Sequence, residues 1–280
     1  MAPTGTNYTI LNPDTPLAYL APDVGVELEV SRYIYMATLG AYIWDILVCI
    51  PQDYRLLFKF DFTAVTFAYF TSRVSALLYI LINALFQVSA VPNCNVLQAV
   101  IGVFYVFTVS SSSFLFFLRV RAIFNGNSVI IAFFALSWLS TLAGSVLVPI
   151  GIRGAHIAST QYCVNSRVPW WTCFAVIFPL CNDAFIFTAI SWRIIVSVSQ
   201  EQNWKRRLRV FFGRSRLPAI SRAVLQTGQQ YYVMTLGGNI VCVVLILTPS
   251  LPAIYHAMMT IPNIAILSSM ACRVYRQIKL

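Results

Sequence analysis

Three ionisable side chains stand inside long, mostly apolar stretches of this 280-residue sequence. They are Asp45, Arg73 and Asp183. A charged group at the centre of a bilayer costs about 2.5 to 3.5 kcal/mol on insertion scales, so each such residue needs a partner or a task. If the stretches are membrane-spanning helices, these residues are the first candidates for ion pairing, proton transfer or ligand binding within the membrane.

Asp45 and Arg73 belong to neighbouring apolar runs. Asp45 lies in the second half of the first run and Arg73 lies nearer the middle of the second. Their heights differ by roughly 8 to 13 Å at 1.5 Å per residue, a gap that a long arginine side chain covers in part. We therefore predict a direct or water-bridged contact. Its role is either an ion pair that fixes helix packing or a polar switch or ligand site.

Asp183 lies near the middle of the fifth apolar run and follows Asn182. We expect Asn182 to bond towards the serines at 110–113 or towards Asn239 in the sixth run. A cavity among the third, fifth and sixth helices is where a receptor-like bundle would hold a ligand. The alternative is a structural aspartate kept in its protonated form. His256, near the outer end of the seventh run, is either an interfacial residue or a binding residue.

Composition identifies the elements that position these residues. The chain is 59% hydrophobic and 10% charged, whereas soluble domains contain about 25% charged residues. We predict an all-α polytopic membrane protein whose partner is the lipid bilayer. Seven spans are predicted, at residues 33–50, 60–85, 95–118, 129–150, 169–192, 231–247 and 253–271. The predicted regions are a tail at 1–32, a bundle at 33–271 with a long basic loop at about 193–230, and a tail at 272–280.

Loop charges predict the orientation of this seven-helix bundle. Most lysines and arginines follow the first, third and fifth spans or lie in the C-terminal tail. Because basic loops stay in the cytoplasm, the N-terminus is predicted outside and the C-terminus inside, in the plasma membrane or an endomembrane. Asn7 begins the triplet Asn7-Tyr8-Thr9 in the outer tail, which makes it a glycosylation candidate.

A basic cytoplasmic surface follows from that orientation. Its predicted members are Arg119, Arg121, Lys205, Arg206, Arg207 and Arg209. The residues around 204–216 alternate basic and aromatic side chains, which suits a helix extension lying on an anionic leaflet. The alternative is a docking surface for a cytoplasmic transducer such as a G protein. The net charge of +10 comes without a nucleic-acid-binding motif, so nucleic acid is not an expected partner.

Cysteine positions predict one covalent link. Of seven cysteines, Cys94 and Cys163 alone fall in segments assigned to the outer side, where oxidising conditions favour a disulfide between them. The sequence contains no Cys/His/carboxylate cluster at ligand spacing and no phosphate- or dinucleotide-binding glycine motif. We therefore expect no metal site and no cofactor.

This architecture resembles that of G-protein-coupled receptors, which also have seven spans and a cysteine at the outer end of the third helix. The switch motifs of that class are absent. The third helix ends Leu118-Arg119-Val120-Arg121 without an acid before the arginine. The sixth has Gly237-Gly238-Asn239 in place of Cys-Trp-x-Pro, and the seventh has Ile261-Pro262-Asn263-Ile264 in place of Asn-Pro-x-x-Tyr.

Short patterns also resemble a family of seven-helix membrane proteins from basidiomycete fungi whose activity is unknown. They are Trp44-Asp45-Ile46-Leu47, Ser72-Arg73-Val74, Leu118-Arg119-Val120-Arg121-Ala122-Ile123-Phe124 and Cys272-Arg273-Val274-Tyr275-Arg276. The chain departs from the family at Gln52-Asp53-Tyr54, where a Glu-Val pair is usual. The resemblance implies a helix bundle in a fungal membrane and implies no known activity.

Three functions are compatible with these observations. The first, which we prefer, is a receptor-like sensor that binds a small molecule or peptide and signals through the basic loop. The second is a membrane-embedded enzyme of the terpene-cyclase type, with Asp45 or Asp183 as its acid. The third is a transporter or lipid-handling protein. The opening of the main cavity separates them: an outer mouth favours the receptor, a closed chamber the enzyme, and a lateral opening the lipid handler.

Overall fold

The computed structural model describes residues 16–58, 63–124, 126–198, 219–248 and 253–279. Its helices are α1 (Pro22–Phe58), α2 (Ala64–Val88), α3 (Cys94–Ile123), α4 (Ser128–Gly151), α5 (Phe174–Val198), α6 (Ala219–Leu247), α7 (Ala253–Met258) and α8 (Thr260–Lys279). Two short strands, β1 (Arg153–His156) and β2 (Cys163–Arg167), form an antiparallel hairpin. Short 3-10 helices cover Pro16–Tyr19 and Trp170–Cys173.

Five helical segments in the described part are long and apolar enough to cross a membrane. They are α1, α2, α3, α4 and the segment Trp170–Arg193, which includes most of α5. A helix satisfies all its backbone hydrogen bonds internally, which is why apolar helices are stable in lipid. A shorter apolar stretch, Val233–Leu247, lies within α6. The structure therefore confirms the predicted all-α class and the presence of helices that are suited to a membrane.

Contacts between helix ends give the bundle two distinguishable ends. At one end the hairpin packs against the start of α3, and the backbone N–H of Val91 donates to the carbonyl of Gln161 at 2.9 Å. At the other end Thr66, near the start of α2, bonds to Tyr275, near the end of α8, at 3.0 Å. We call these the hairpin end and the α8 end.

Polar side chains begin three of the helices. Thr63, Asn93 and Asn127 each accept a hydrogen bond from the backbone N–H three residues further on, at the starts of α2, α3 and α4. Such caps satisfy N–H groups that have no partner within the helix. Gly126, with a φ of 105°, allows the turn between α3 and α4.

Three helix ends lie beyond the predicted span boundaries. α1 continues past residue 50 through Pro51 to Phe58, and it begins at Pro22 within the segment assigned to the N-terminal tail. At the other terminus α8 continues to Lys279, so residues 272–279 are helical. All three extensions contain polar residues, and hydropathy marks only the apolar part of a helix.

The core lies between α2, α3, α5 and α8. Tyr69, Ile80, Phe116, Ile186 and Ile264 are all nearly inaccessible to solvent. By contrast, α1 and α4 expose most of their apolar side chains on the outer surface of the bundle. That arrangement suits helices whose outer faces contact lipid.

Small residues let α3, α4 and α5 approach closely. A Cβ atom at Gly102 of α3 would lie 2.6 Å from the Cα atom of Pro149 in α4. One at Gly144 of α4 would lie 2.5 Å from the ring of Phe178 in α5. Membrane helices pack through such small residues because lipid provides no hydrophobic driving force between them. Ser112, from the serine run of α3, likewise contacts Ser72 of α2.

Candidate functional site

An ionic network joins α1, α2 and α8 at the α8 end. Asp45 and Asp53 lie eight residues apart on α1, so they fall on nearly the same face of the helix. Arg73 Nη2 lies 3.7 Å from Asp45 Oδ2, and its Nε lies 3.2 Å from Asp53 Oδ2. The predicted contact between Asp45 and Arg73 is therefore present, and Arg73 bridges two carboxylates.

Two arginines of α8 complete the ionic network. Arg273 Nη2 lies 2.7 Å from Asp45 Oδ1, and Arg276 Nη1 lies 3.5 Å from Asp53 Oδ1. The side chain of Arg276 is 5% exposed, whereas that of Arg273 is 47% exposed. The network thus contains three arginines and two carboxylates, and its pairing compensates most of its charge. Burial without such pairing would be strongly destabilising.

Hydroxyl groups connect the ionic network to the bundle. The Tyr69 hydroxyl donates to Asp53 and accepts from Arg276 at 2.8 Å. One turn further along α2, Ser72 bonds to Ser112 of α3 at 2.8 Å and to Ser268 of α8 at 3.0 Å. These contacts let α2 link α1, α3 and α8 through side chains that lipid could not satisfy.

A second set of contacts, the amide chain, joins α5, α6 and α8. The Asn239 amide nitrogen donates to Asp183 Oδ2 at 2.9 Å, and the Asn263 amide nitrogen donates to Asn239 Oδ1 at 2.7 Å. Asp183 is 1% exposed, Asn239 3% and Asn263 6%. Asp183 and Asn239 were both predicted as polar-core residues, but with Asn182 as the partner of Asn239, and Asn263 was not predicted.

The predicted partners of Asn182 are wrong. Its Oδ1 accepts from Ser137 of α4 at 2.9 Å, instead of bonding to the serines of α3 or to Asn239. The reason is helical spacing, because adjacent residues point about 100° apart. Asn182 therefore faces α4 while Asp183 faces α6.

Two oxygens of the amide chain have no hydrogen-bond partner among the described residues. They are Oδ1 of Asp183 and Oδ1 of Asn263. Gly238 packs so closely against Asn263 that a Cβ atom there would collide with that Oδ1. Glycine at position 238 thus leaves room for the Asn263 side chain in the orientation that reaches Asn239.

The hairpin end is closed by the predicted disulfide, which is confirmed. Cys94 at the start of α3 is bonded to Cys163 of β2, and both are buried. His156 of β1 pairs with Cys163 across the hairpin, and its Nδ1 lies 3.4 Å from Cys94 Sγ. These three side chains meet the spacing of metal ligands, but sulfurs bonded to each other are not the thiolates that bind metals.

The other predicted site residues have separate positions. Arg121 is exposed, but Arg119 is 8% exposed, so its assignment to a basic surface is wrong. His256 lies on α7, and its side chain falls outside the described residues. Asn7, Lys205, Arg206, Arg207 and Arg209 also fall outside them.

Five residues of the two networks are not among the predicted site residues: Asp53, Tyr69, Asn263, Arg273 and Arg276. Asp53 lies between the first two predicted spans, and Arg273 and Arg276 lie in the predicted C-terminal tail. The available signal was spacing: Asp45 and Asp53 are separated by about two helical turns, and Arg273 and Arg276 by about one. For Tyr69 and Asn263 no comparable signal exists, since their roles depend on which helices are neighbours.

An apolar groove opens sideways between α2 and α3. Its volume is about 400 Å³. The lining residues are Phe67, Phe70, Thr71, Val74, Ser75, Leu78, Phe104 and Phe107. Phe67, Val74 and Phe107 are each more than half exposed, so the groove belongs to the outer surface of the bundle. The sequence analysis expected a ligand cavity elsewhere, among the third, fifth and sixth helices.

Comparison with protein-family models and with curated proteins finds no match to this chain.

Proposed function

We propose that this chain is a receptor-like seven-helix membrane protein in which α8 is the switching element. In this proposal α6 is the sixth span, and α7 together with α8 forms the seventh. The hairpin end faces outside, and the α8 end faces the cytoplasm. The proposal includes membership of the basidiomycete seven-helix family, for which Trp44-Asp45 and Ser72-Arg73-Val74 are the supporting patterns.

The observation that carries the proposal is that α8 contributes to both polar networks. Asn263 belongs to the amide chain, and Arg273 and Arg276 belong to the ionic network. Transmission of a signal between two sites requires a structural element whose conformational equilibrium both sites influence. A ligand that changes the packing of α5 or α6 would act on α8 through Asn263 and thereby on the ionic network.

The two ends of the bundle support the proposed orientation. Disulfides persist in oxidising compartments, which favours an outer position for Cys94 and Cys163. Arg273, Arg276 and Lys279 lie at the opposite end, and basic residues are retained on the cytoplasmic side. A hairpin tethered to α3 can serve as a lid over an outer binding surface.

The test is catalysis of nucleotide exchange on a transducer. The full chain is reconstituted in lipid nanodiscs with heterotrimeric G proteins of each α-subunit class, and GTP uptake is followed. We expect faster uptake with one class and a changed rate with Arg73→Gln. Arg55→Gln is the matched control, because Arg55 is an exposed arginine of α1. Equal uptake with and without the chain in every class would remove G-protein coupling from the proposal.

A lipid-handling function is the second candidate, and the lateral groove favours it. The groove follows α2 from Phe67 to Leu78, a distance of roughly 16 Å along the axis at 1.5 Å per residue. That is about half of a 30 Å hydrocarbon core, the depth of one leaflet. The groove therefore matches one acyl chain. Crosslinking with a photoreactive fatty acid should label α2 and α3 peptides if the groove selects a lipid, and should label exposed α4 equally if it does not.

The enzyme alternative has less support. The carboxylates of Asp45 and Asp53 contact arginine nitrogens and hydroxyl groups, and they do not line the groove between α2 and α3.

A further inference from the structure

Asp183 is a buried carboxylate without a positively charged neighbour in the described part of the chain. It is 1% exposed, and its hydrogen-bond partner is the amide of Asn239. Asp45 and Asp53 differ, because each contacts two arginines. An ionised carboxylate buried without compensation is strongly unfavourable. Either a proton on the carboxyl group or a bound cation must therefore neutralise Asp183.

Acceptor oxygens without donors near Asp183 indicate that a bound cation could neutralise this carboxylate. Asn239 bonds to Asp183 on one side and to Asn263 on the other, so it holds the two side chains near each other. Each of them retains one oxygen, Oδ1, without a donor. Both side chains are more than nine-tenths buried. Oxygens that lack donors are suited to a cation.

The donor set limits the class of that cation. Carboxylate and amide oxygens are hard ligands, which favour alkali and alkaline-earth ions over zinc or copper. A single carboxylate compensates a single positive charge, whereas calcium sites combine more oxygen ligands and usually several carboxylates. We propose that Asp183 and Asn263 bind a monovalent alkali cation at the junction of α5, α6 and α8, with sodium as the probe ion.

Such a cation would add a link among three helices that the hydrogen bonds of the amide chain already connect. Because it binds the folded state, it should stabilise that state increasingly with concentration. This inference does not depend on the receptor proposal. A transporter or a lipid-binding protein with the same junction would show the same effect.

The test is thermal unfolding of the purified full chain in detergent. Sodium chloride is compared with choline chloride at equal ionic strength, which removes general salt screening. We expect sodium to raise the melting temperature by several degrees, and Asp183→Asn to abolish that rise. Asp53→Asn is the matched control, since it removes a carboxylate from the other network and should keep the sodium response.

Two melting-temperature results would overturn the proposal. One is an equal melting temperature in sodium and choline, which is expected if Asp183 holds a proton throughout. The other is a sodium response that persists in Asp183→Asn. If that variant does not fold, Asn263→Ala replaces it, and broadening of the sodium NMR signal by the wild-type protein provides a second readout. Wild-type protein that leaves this signal unbroadened also overturns the proposal.

Discussion

The ionic network and the amide chain perform a similar task with different chemistry. Both join three helices through buried polar side chains, and both include α8. In the ionic network each carboxylate faces two arginines. In the amide chain one carboxylate faces neutral amides and keeps an oxygen without a donor.

Because of this difference, we regard the ionic network as a lock that holds its helices in place and the amide chain as an adjustable contact. Paired charges in a low-dielectric environment resist separation, because each partner left behind would be uncompensated. Hydrogen bonds between side chains of membrane helices contribute much less, about 0.6 kcal/mol on average. We therefore expect the ionic network to maintain the fold and the amide chain to respond to ligands or ions.

The largest effect should come from Arg73→Gln. Arg73 contacts both Asp45 and Asp53, and removing one partner of a buried pair costs about 3 to 5 kcal/mol. The free energy of unfolding should fall by that order, measured by thermal unfolding in detergent. Arg55→Gln, at an exposed arginine of α1, should change it little. Similar stability of the two variants would contradict the description of the ionic network as a lock.

A comparison of aspartates should sharpen the contrast between the networks. Asp53→Asn leaves Arg73 and Arg276 short of a charged acceptor, and we expect a loss of about 1 to 3 kcal/mol. Asp183→Asn removes a charge that no described cation compensates, so we expect a change below about 1 kcal/mol in sodium-free buffer. Chemical denaturation of both variants gives the comparison. If Asp183→Asn lost more stability than Asp53→Asn, the amide chain and not the ionic network would maintain the fold.

Adjacent glycines provide a matched test of the amide chain. A methyl group at Gly238 would collide with Asn263, whereas one at Gly237 meets no atom within 4 Å. Gly238→Ala should cost about 1 to 3 kcal/mol through overpacking. Gly237→Ala should be neutral or stabilising by up to about 1 kcal/mol, because alanine favours helix. Melting temperatures compare them directly, and equal values would mean that Asn263 moves aside without cost.

The smallest effect should come from the serines that connect the networks to α3. Ser72→Ala removes hydroxyl contacts to Ser112 and Ser268, and should cost about 0.6 to 1.7 kcal/mol. Ser140→Ala is the control, since the exposed Ser140 bonds only within α4 as far as the structure describes it. If Ser140→Ala lost as much stability as Ser72→Ala, the loss in Ser72→Ala could not be attributed to its contacts with Ser112 and Ser268.

Much of this fold could be predicted from hydropathy, and much of the site could not. Hydropathy located the five helical segments that are long and apolar enough to cross a membrane. The redox conditions expected on one side of the membrane identified the Cys94–Cys163 pair. The hairpin β1–β2 was missed, since its nine strand residues lack strong strand periodicity. Partners such as Asn263 could not be assigned, because they depend on the rotation of each helix about its axis.

Helix ends explain the remaining errors. Polar residues end a hydropathy signal but not a helix, so the polar turns after Pro51 and after Ala271 were assigned to a loop and a tail. Those turns carry Asp53, Arg273 and Arg276, three of the five charged members of the ionic network. The charged residues of the candidate site are thus concentrated where hydropathy is least informative.

Hydrogen exchange of α8 tests the central claim most directly, because that claim is the coupling of the two networks through this helix. Asn239→Ala breaks the amide chain at α6, about 15 Å along α8 from the ionic network at 1.5 Å per residue between positions 263 and 273. If α8 couples them, the backbone amides of residues 270–279 should exchange at least about tenfold faster in the variant, an opening made easier by about 1.4 kcal/mol. Faster exchange confined to residues near 239 and 263, with 270–279 unchanged, would contradict the coupling and with it the proposed switch.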